Sequence, residues 1–498
     1  MRQRRFAFSD VAISHGDGDL LAILRENVNR LGGIEKYVKP GNTVFIKPNL
    51  TAGMPCTTGG TTDVKFTEAV VELVKEANPG HIIVGECSGN ESRSIESLLN
   101  NGYGEMCERQ QVEMMDLDYA EFVDIPVKNP LYRDIIPLPK AVVEADVYIS
   151  VPVLKTHVTC GVSIALKNSF GLVPDDIKIQ AHRDNAIEQI LVDIAQAKSP
   201  DLIFADGRLG AEGVAGGSDF RYPKAANVIC VSDDPVAMDA VCTRLMRQNT
   251  RVRYIQWAGE MMLGNDSLDY INIHGLSIDE ASVQFMSPAD QIEMETQGKI
   301  KIYELNPCSK CRALGEGGVW RFASSPNSLL EPVDVVIGPG EWDMPEKLNP
   351  RTILLGDCIR KEYRDKGVWI GGCPAESRKY YDTLASYNIV CTRCAEKVKE
   401  AMTAFTEEEL ATLRILASNN TVFCGAKNKA GMEDYLLAVG DCQKGYCKNH
   451  IRRCHKLSDV DAGSYIEQVL GCGDEVTVEA IREGIRVCLE KAKAAGRC

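Results

Sequence analysis

The chain has 498 residues, which suggests about three domains and allows large hydrophobic cores. Its 70 acidic and 56 basic residues give a net charge of −14. This charge argues against nucleic acid as the main ligand, because neutralising phosphates needs a basic face. No run of about 18 apolar residues occurs, and no apolar segment follows the basic N-terminus. We therefore expect no membrane span, no secretion signal and a cytoplasmic location.

Residues 1–290 alternate short apolar runs with segments of helical periodicity. The runs are 44–46, 81–86, 147–152, 202–205 and 227–231. Strands that are buried on both faces and separated by helices predict an α/β domain whose mostly parallel sheet has helices on both faces. Polar residues that follow these strands should share one rim of the sheet, where open α/β sheets bind ligands. We therefore interpret residues 1–290 as a substrate-binding domain.

Residues 300–498 form the second predicted unit, a cysteine-rich α/β domain, after a connector of mixed periodicity around 250–300. Thirteen of the 19 cysteines lie in residues 301–498. Two strand patterns, 333–358 and 421–442, each contain one strand ending in glycine and a second ending in Gly-Asp-Cys. This similarity leaves an internal duplication open.

Four cysteines form the clearest constellation in this unit. Cys308 and Cys311 are a C-x2-C pair, whereas Cys358 and Cys373 follow separate strand-like segments. Disulfides are rare in a reducing compartment, and four thiolates suit either tetrahedral zinc or a [4Fe–4S] cluster. The dispersed last two ligands and the proline after Cys373 favour the iron–sulfur cluster, with zinc as the alternative.

A second group of cysteines leaves three interpretations open. These are a second cluster, a zinc site, and a redox-active pair at Cys391 and Cys394. Basic neighbours such as Lys444 and Arg453 favour the thiolate form. The members of this group are Cys391, Cys394, Cys424, Cys442, Cys447 and Cys454.

The order of the first group is a C-x2-C pair, a strand ending in Gly-x-Cys, and then Gly-Cys-Pro. Over residues 305–376 this order is similar to the proximal-cluster layout of hydrogenase small subunits and their complex I relatives. The resemblance implies a shared way of holding the metal, not a shared activity.

Polar residues gather at predicted strand ends of the first domain, within 47–50, 154–157, 165–171 and 233–239. Their lysines and histidines predict a cationic site that suits a carboxylate or phosphate substrate. We expect the asparagines to orient this substrate, and the aspartates to balance charge or hold a lysine for proton transfer. The predicted binding residues are Lys47, Asn49, Lys167, Asn168, Asp206, Asp234 and Asp239.

The catalytic candidates are Lys155, His157 and His182. Histidine titrates near neutral pH, so either histidine is the better acid or base. Together with the segment from Asp206 to Gly217, the four polar stretches resemble the domain-of-unknown-function 362 family over about residues 40–245. That family consists of largely uncharacterised prokaryotic proteins, often associated with iron–sulfur clusters. The resemblance implies a shared pocket but no named reaction.

We expect an iron–sulfur oxidoreductase of anaerobic metabolism that acts on a small anionic molecule. Its [4Fe–4S] cluster would pass electrons to the substrate or to a redox partner protein, and we expect neither nucleic acid nor membrane as a partner. One alternative is a non-catalytic electron carrier or cluster scaffold. Others are a dehydratase whose cluster acts as a Lewis acid, and a zinc-stabilised enzyme without a redox role.

Overall fold

The structure is a computed structural model that describes residues 7–88, 93–215, 220–248, 252–305, 307–323, 332–338, 344–387, 393–410, 413–417, 421–422, 435–440, 466–469 and 475–494. In these parts of the chain the backbone forms one ten-stranded sheet, two four-stranded sheets and a two-stranded ribbon. No helix among them is both long and apolar enough to cross a bilayer.

The first half of the chain contributes the strands β1 (Ser9–His15), β2 (Thr43–Pro48), β3 (His81–Glu86), β4 (Glu113–Asp116), β5 (Phe122–Pro126), β6 (Ile135–Pro139), β7 (Val147–Val151), β8 (Val153–His157), β9 (Gly161–Ser163), β10 (Leu202–Ala211), β11 (Pro223–Ser232) and β12 (Ile271–Gly275). The large sheet has the order β12-β1-β11-β10-β7-β2-β3-β4, with β8 on β10 and β9 on β8, whereas β5 and β6 form the ribbon. Neighbours in the large sheet are parallel, except that β11 is antiparallel to β1 and β10, and β9 is antiparallel to β8. The prediction of a mostly parallel sheet is confirmed.

Helices cover both faces of the large sheet, because the strands bury both sets of alternating side chains. Phe45 points into one hydrophobic cluster, whereas Val44 and Ile46 point into the other. The helices of this part are α1 (Leu20–Arg30), α2 (Val64–Lys75), α3 (Ser94–Asn100), α4 (Tyr103–Gln110), α5 (Lys140–Glu144), α6 (Ala165–Asn168), α7 (Asp175–Arg183), α8 (Ile187–Ala197), α9 (Pro235–Leu245), α10 (Arg253–Glu260), α11 (Ile278–Ala281) and α12 (Pro288–Glu295).

Polar caps explain where several of these helices begin. The Asp19 side chain accepts hydrogen bonds from two backbone amides of α1, and Asp63 accepts one from α2. Ser287 forms a capping box with Asp290 at the start of α12, where Pro288 occupies the first helical position. Such caps satisfy amides that have no partner within the helix.

The segment predicted as a connector is largely structured. Strand β12 extends the edge of the large sheet by pairing in parallel with β1. Helix α12 places Ala289 and Ile292 in the core of the next unit, while the Gln291 side chain accepts a hydrogen bond from the backbone amide of Val214. The connector therefore packs against both units.

The first unit of the C-terminal part is a parallel sheet with the order β13-β14-β15-β16. Its core contains Ile300, Val319, Val335, Ile353 and Leu355. Its elements are β13 (Ile300–Glu304), α13 (Ser309–Ala323), β14 (Val333–Ile337), β15 (Thr352–Leu355), β16 (Val368–Ile370) and α14 (Ser377–Ser386).

The second C-terminal sheet differs from the first in the way its strands pair. Its elements are α15 (Arg393–Met402), α16 (Glu407–Leu410), β17 (Leu413–Ala417), β18 (Thr421–Val422), β19 (Tyr435–Val439), β20 (Ile466–Val469) and α17 (Val478–Ala494). The order is β18-β17-β19-β20, and β18 is antiparallel to β17. In the first pattern β14 lies parallel beside β15, whereas its counterpart β18 does not adjoin β19. The described strands of the two patterns are therefore arranged differently.

Candidate functional site

The candidate site lies where strands β2 and β3 end and strand β8 passes beside them. Lys47 is the fifth residue of β2, Glu86 ends β3, and Lys155 is the middle residue of β8. The exposed fractions of the three residues are only 1%, 2% and 3%. Because parallel strands end at the same sheet edge, these groups from distant parts of the chain meet there. We call this edge the lysine rim.

Lys47 and Glu86 form a buried ion pair at the lysine rim. The Lys47 Nζ lies 2.7 Å from Oε1 and 2.8 Å from Oε2 of Glu86, and it donates at 3.3 Å to Oδ1 of Asn168. Burial lowers the pKa of Lys47, while the Glu86 carboxylate opposes that change. A buried pair is retained only when such contacts offset the desolvation of both charges. Glu86 therefore neutralises Lys47 within the protein.

Lys155 is surrounded by neutral oxygens. Its Nζ donates to Oδ1 of Asn49 at 2.5 Å, to Oγ1 of Thr51 at 3.1 Å and to the carbonyl oxygen of Gly60 at 2.9 Å. Among the described residues no carboxylate forms an ion pair with it. Burial lowers the pKa of Lys155 to about 7, and the charge of Lys167 acts in the same direction. The predicted residue Asn49 thus positions this amine.

Lys167 lies on α6 next to Asn168, half-buried, with its Nζ 5.6 Å from the centre of the Phe170 ring. No carboxylate of the described residues forms an ion pair with it either. Burial lowers the pKa of Lys167. Asn168 donates a hydrogen bond from Nδ2 to Oγ of Ser150 at 2.9 Å, and its Oδ1 accepts one from Nζ of Lys47. These two hydrogen bonds join α6 to the sheet.

A third buried lysine, Lys178 on α7, was not predicted. Its Nζ lies 3.2 Å from Oδ1 of Asp175 and 2.8 Å from Sγ of Cys87, the residue that follows β3. Burial raises the pKa of the Cys87 thiol to about 11, although the charge of Lys178 opposes that rise. Asp175 therefore balances Lys178, as Glu86 balances Lys47.

His157 ends β8 and is buried. Its Nδ1 accepts hydrogen bonds from the backbone amides of Thr159 at 3.0 Å and Cys160 at 3.2 Å. Burial lowers the pKa of His157 well below its ordinary value, and the charges of Lys167, His182, Lys155 and Arg312 add to this effect. With Nδ1 accepting, the neutral ring carries its proton on Nε2. The geometry therefore favours His157 as a hydrogen-bond donor rather than as the predicted acid or base.

His182 has the opposite arrangement on the exposed side of α7. Its Nδ1 lies 2.7 Å from the backbone carbonyl oxygen of Lys178. A carbonyl oxygen only accepts hydrogen bonds, so Nδ1 carries the proton and Nε2 carries the lone pair. The ring lies 5.7 Å from that of Phe170, between centres. The predicted role of His182 as an acid or base stays a prediction.

Two predicted binding aspartates have structural partners instead. Asp206 forms a bidentate ion pair with Arg208. The Nε and Nη2 atoms of Arg208 lie 2.9 Å and 2.8 Å from the two carboxylate oxygens of Asp206. Asp234 caps α9 through the amides of Val236 and Ala237. It also accepts a hydrogen bond from the hydroxyl of Ser9, so it fastens α9 to β1. Both residues therefore hold parts of the fold in place, and their predicted role in substrate binding stays a prediction.

Asp239 also has a structural role. Its carboxylate accepts hydrogen bonds from the backbone amides of Ala165 at 2.7 Å and Leu166 at 3.2 Å. Burial raises the pKa of Asp239 to about 8, while those two amides oppose the rise. Asp239 holds the first turn of α6 and so positions Lys167 and Asn168, while its predicted role in substrate binding stays a prediction.

The loops of the parallel C-terminal sheet bring the first group of cysteines together. Cys308 and Cys358 lie close enough to Cys311 to act on the pKa of its thiol, and Cys373 acts on the pKa of Cys358. Cys311 is buried, Cys308 is half-buried, and Cys358 and Cys373 are exposed. All four are free thiols rather than half-cystines.

Gly356 leaves room between two of these sulfur atoms. It has a φ of +100°, and a Cβ at this position would lie 3.2 Å from Sγ of both Cys311 and Cys358. Cysteine thiols are the ligands that a [4Fe–4S] cluster or a structural zinc ion takes, and two of them lie beside this position. Among the described residues, however, no three or more His, Cys, Asp or Glu side chains already converge as ligands of one metal ion. The metal assignment therefore remains a prediction.

Of the second cysteine group, only Cys394 lies within the described residues. It is buried on α15 in the core of the last unit. The remaining predicted members, Cys391, Cys424, Cys442, Cys447 and Cys454, lie outside the described residues.

Helix α13 links the cysteine group to the lysine rim. It begins beside Cys308 and carries Arg312, which is 1% exposed and donates from Nε to Oε1 of Glu304 at 2.6 Å. The positive charge of Arg312 helps to lower the pKa of His157. Further along the helix, a Cβ on Gly317 would lie 4.0 Å from a methyl group of Val158. The end of β8 therefore packs against the helix that starts at the cysteines.

Some of these groups carried a signal in the sequence and others did not. Glu86 ends a predicted strand, so the strand-end argument that selected Lys47 also applied to it. The same argument applies to Cys87, which follows that strand, whereas Lys178 and Arg312 follow no local pattern and their positions depend on how α7 and α13 pack.

Comparison with solved structures yields two partial likenesses. A protein from Thermotoga maritima is 14% identical, with a TM-score of 0.28, and the match covers 39% of this chain and about half (51%) of that protein. The lactate racemase apoprotein from Thermoanaerobacterium thermosaccharolyticum is 11% identical, with a TM-score of 0.33, and the match covers 78% of this chain and 91% of that one.

Sequence comparison identifies the family. The model described as domain of unknown function (DUF362) matches residues 44–244, which span the lysine rim from Lys47 to Asp239. The thylakoid-associated protein sll1697 of Synechocystis sp. is 30% identical over 240 residues, covering 47% of this chain and 72% of that protein. The chain therefore belongs to the DUF362 family.

Proposed function

We propose that the chain is an iron–sulfur oxidoreductase of anaerobic metabolism whose substrate is a small anionic molecule bound at the lysine rim. The charge balance of the rim carries this proposal. Glu86 offsets Lys47 and Asp175 offsets Lys178, whereas Lys155 and Lys167 have no carboxylate partner among the described residues. Uncompensated charge is costly away from water, so a carboxylate or phosphate would bind favourably there.

His157 supplies a further group for such a ligand. It offers a donor at Nε2, which suits an oxygen of the substrate. Lys155 and Lys167 would hold the negative charge. An electron carrier needs no substrate site, so this arrangement favours an enzyme over a carrier.

In the same proposal, Cys308, Cys311, Cys358 and Cys373 hold one [4Fe–4S] cluster. A bound cluster of this type supplies one-electron transfer. The position of the Cys311 and Cys358 sulfur atoms beside Gly356 supports this assignment, and α13 connects the group to the end of β8. The exposure of Cys358 and Cys373 would leave a cluster open to dioxygen, in keeping with anaerobic metabolism.

The test begins with anaerobic purification, followed by iron, acid-labile sulfide and zinc analysis and EPR spectroscopy of the reduced protein. We expect iron and sulfide in equal amounts and a cluster signal after reduction. In parallel, phosphate and oxalate should raise the melting temperature through binding to the folded state. Zinc without iron and sulfide would overturn the redox assignment, and the absence of any anion effect would overturn the substrate assignment.

A further inference from the structure

An open groove lies beside the edge strand β12 of the large sheet. Its volume is about 800 Å³, which falls within the range of small-molecule sites. The groove is lined by the end of α9, by β12 and by the chain from α11 to residue 284. Four strands separate β12 from β2, so roughly 24 Å of sheet lies between the groove and the strand that carries Lys47. The groove is therefore separate from the lysine rim.

Hydrogen bonds fix the wall of the groove that follows α11. The backbone amides of Val283 and Phe285 donate to the carbonyl oxygens of Leu245 at 2.8 Å and Met246 at 3.1 Å. The Nε2 atom of Gln248 donates to the carbonyl oxygens of Met246 at 3.2 Å and Phe285 at 2.9 Å. The chain after α11 is thus tied to the end of α9, so the groove is formed without a ligand.

Two arginines at the end of α9 line this groove. Arg244 lies in the last turn of the helix and Arg247 follows it, and both side chains are exposed. Among the described residues no carboxylate forms an ion pair with either guanidinium, although Asp279 also lines the groove. The negative end of the α9 dipole favours cations at this place. The two arginines therefore form a local positive patch on a chain whose net charge is −14.

Arg247 occupies a backbone position that favours glycine. Its φ is +53°, its amide donates to the carbonyl oxygen of Arg244 at 2.9 Å, and the amide of Gln248 donates to that of Thr243 at 3.1 Å. Glycine is the common residue at such a helix end, because a side chain is disfavoured in the left-handed region. Since glycine would end the helix equally well, the arginine at this position indicates a role for its side chain.

We propose that this groove is a second binding site, whose ligand is a phosphate monoester with a partly apolar organic part, the class that includes nucleotides. Guanidinium groups bind phosphate oxygens through paired hydrogen bonds, and a doubly charged group suits two arginines better than a single carboxylate does. Ile273 and Ile278 offer apolar contact to the organic part. This site is independent of the function proposed for the lysine rim.

Isothermal titration calorimetry of the full-length protein, with adenosine monophosphate (AMP) as the probe, tests the inference. We expect one AMP per chain at the groove, and about ten-fold weaker binding or less in Arg244→Gln and in Arg247→Gln, because each loses a charge-assisted hydrogen bond. Adenosine, which lacks the phosphate, should bind as weakly as AMP binds to these variants. Two controls should bind AMP as the wild type does. They are Lys167→Gln, which alters the lysine rim, and Arg486→Gln, which removes an exposed arginine of α17.

The variant Arg247→Gly separates binding from folding. Glycine suits the left-handed backbone, so this variant should melt at the wild-type temperature or above it, and yet bind AMP as weakly as Arg247→Gln does. A lower melting temperature together with unchanged AMP binding would show that the side chain serves the fold alone, and would overturn the inference.

Three further results would also overturn it. AMP binding that is lost in Lys167→Gln and kept in the arginine variants would place the nucleotide at the lysine rim. Equal binding of AMP and adenosine, or no binding of AMP, would show that the arginines recognise no phosphate monoester. Tighter binding of an oligoglutamate peptide than of AMP would make the groove a docking site for an acidic protein segment.

Discussion

Gly171 approaches the amine of Lys47 so closely that no side chain fits between them. A Cβ on Gly171 would lie 2.8 Å from Lys47 Nζ and 2.9 Å from Oε1 of Glu86. The segment after α6 therefore closes over the buried ion pair, and the absence of a side chain at position 171 permits the ion-pair geometry.

The substitution Gly171→Ala should destabilise the protein. The added methyl group overlaps the ion pair, and such overpacking costs about 1–3 kcal/mol. The free energy of unfolding, measured by urea denaturation, checks this expectation. The control is Gly317→Ala in α13, where the nearest atom would lie 4.0 Å away and alanine favours the helix. Equal stability of both variants would contradict the close approach.

The substitution Glu86→Gln should be strongly destabilising. It leaves the Lys47 ammonium buried without its counter-charge, and breaking a buried pair costs about 3–5 kcal/mol. Glu121→Gln serves as the matched control, because its partner Lys140 and Glu121 itself are both exposed, and surface pairs contribute little. Unfolding curves of the two variants should therefore separate clearly. Similar midpoints would mean that Lys47 does not depend on Glu86.

The buried carboxyl of Asp239 predicts a pH dependence of stability. Its pKa of about 8 in the folded protein lies above the ordinary value of 3.8, so the folded state holds the proton more tightly than the unfolded state does. Its contribution to stability is then full below about pH 4 and is lost as the pH rises to about 8. In Asp239→Asn this dependence should be absent. Urea titrations of both proteins across this range measure the difference, and parallel pH curves would refute the raised pKa.

The substitution Cys358→Ser should lower the iron content of the purified protein and destabilise the unit that contains β13 to β16. A serine hydroxyl is a poorer ligand for iron than a thiolate, and bound metal contributes to folding free energy. Cys56→Ser is the control, because Cys56 is a half-buried free thiol in the first domain, outside the unit with the four cysteines. Unchanged iron content and unchanged melting in Cys358→Ser would remove Cys358 from the ligand set.

The substitution Lys167→Gln should weaken the binding of phosphate and oxalate, since it removes one of the two lysines without a carboxylate partner. Charge-assisted hydrogen bonds contribute about 1.5–3 kcal/mol, so a loss of roughly ten-fold or more is expected. Isothermal titration calorimetry measures the change. Lys65→Gln removes the same charge from the exposed side of α2 and should bind as the wild type does. Equal affinities for both variants would place the anion elsewhere.

The sequence by itself determined the elements and one part of each candidate site. Strands buried on both faces need continuous apolar runs such as 44–46 and 202–205, and this signal is local. The rule that parallel strands end at one edge then placed Lys47 and Lys155 on the same rim. Likewise, the spacing of Cys308 and Cys311 predicts two adjacent thiols without any knowledge of the fold.

Only the tertiary structure decided what each charged group contacts. The carboxylate of Asp239 reaches amides 74 positions earlier in the chain, and Glu86 meets an amine 39 positions away. The local sequence does not distinguish the roles of these two carboxylates. Asp239 holds the first turn of α6, whereas Glu86 neutralises Lys47. Packing also brought Arg312 of α13 towards His157. Since burial and distant charges set each pKa and each partner, the division into paired and unpaired lysines could not be deduced from local sequence.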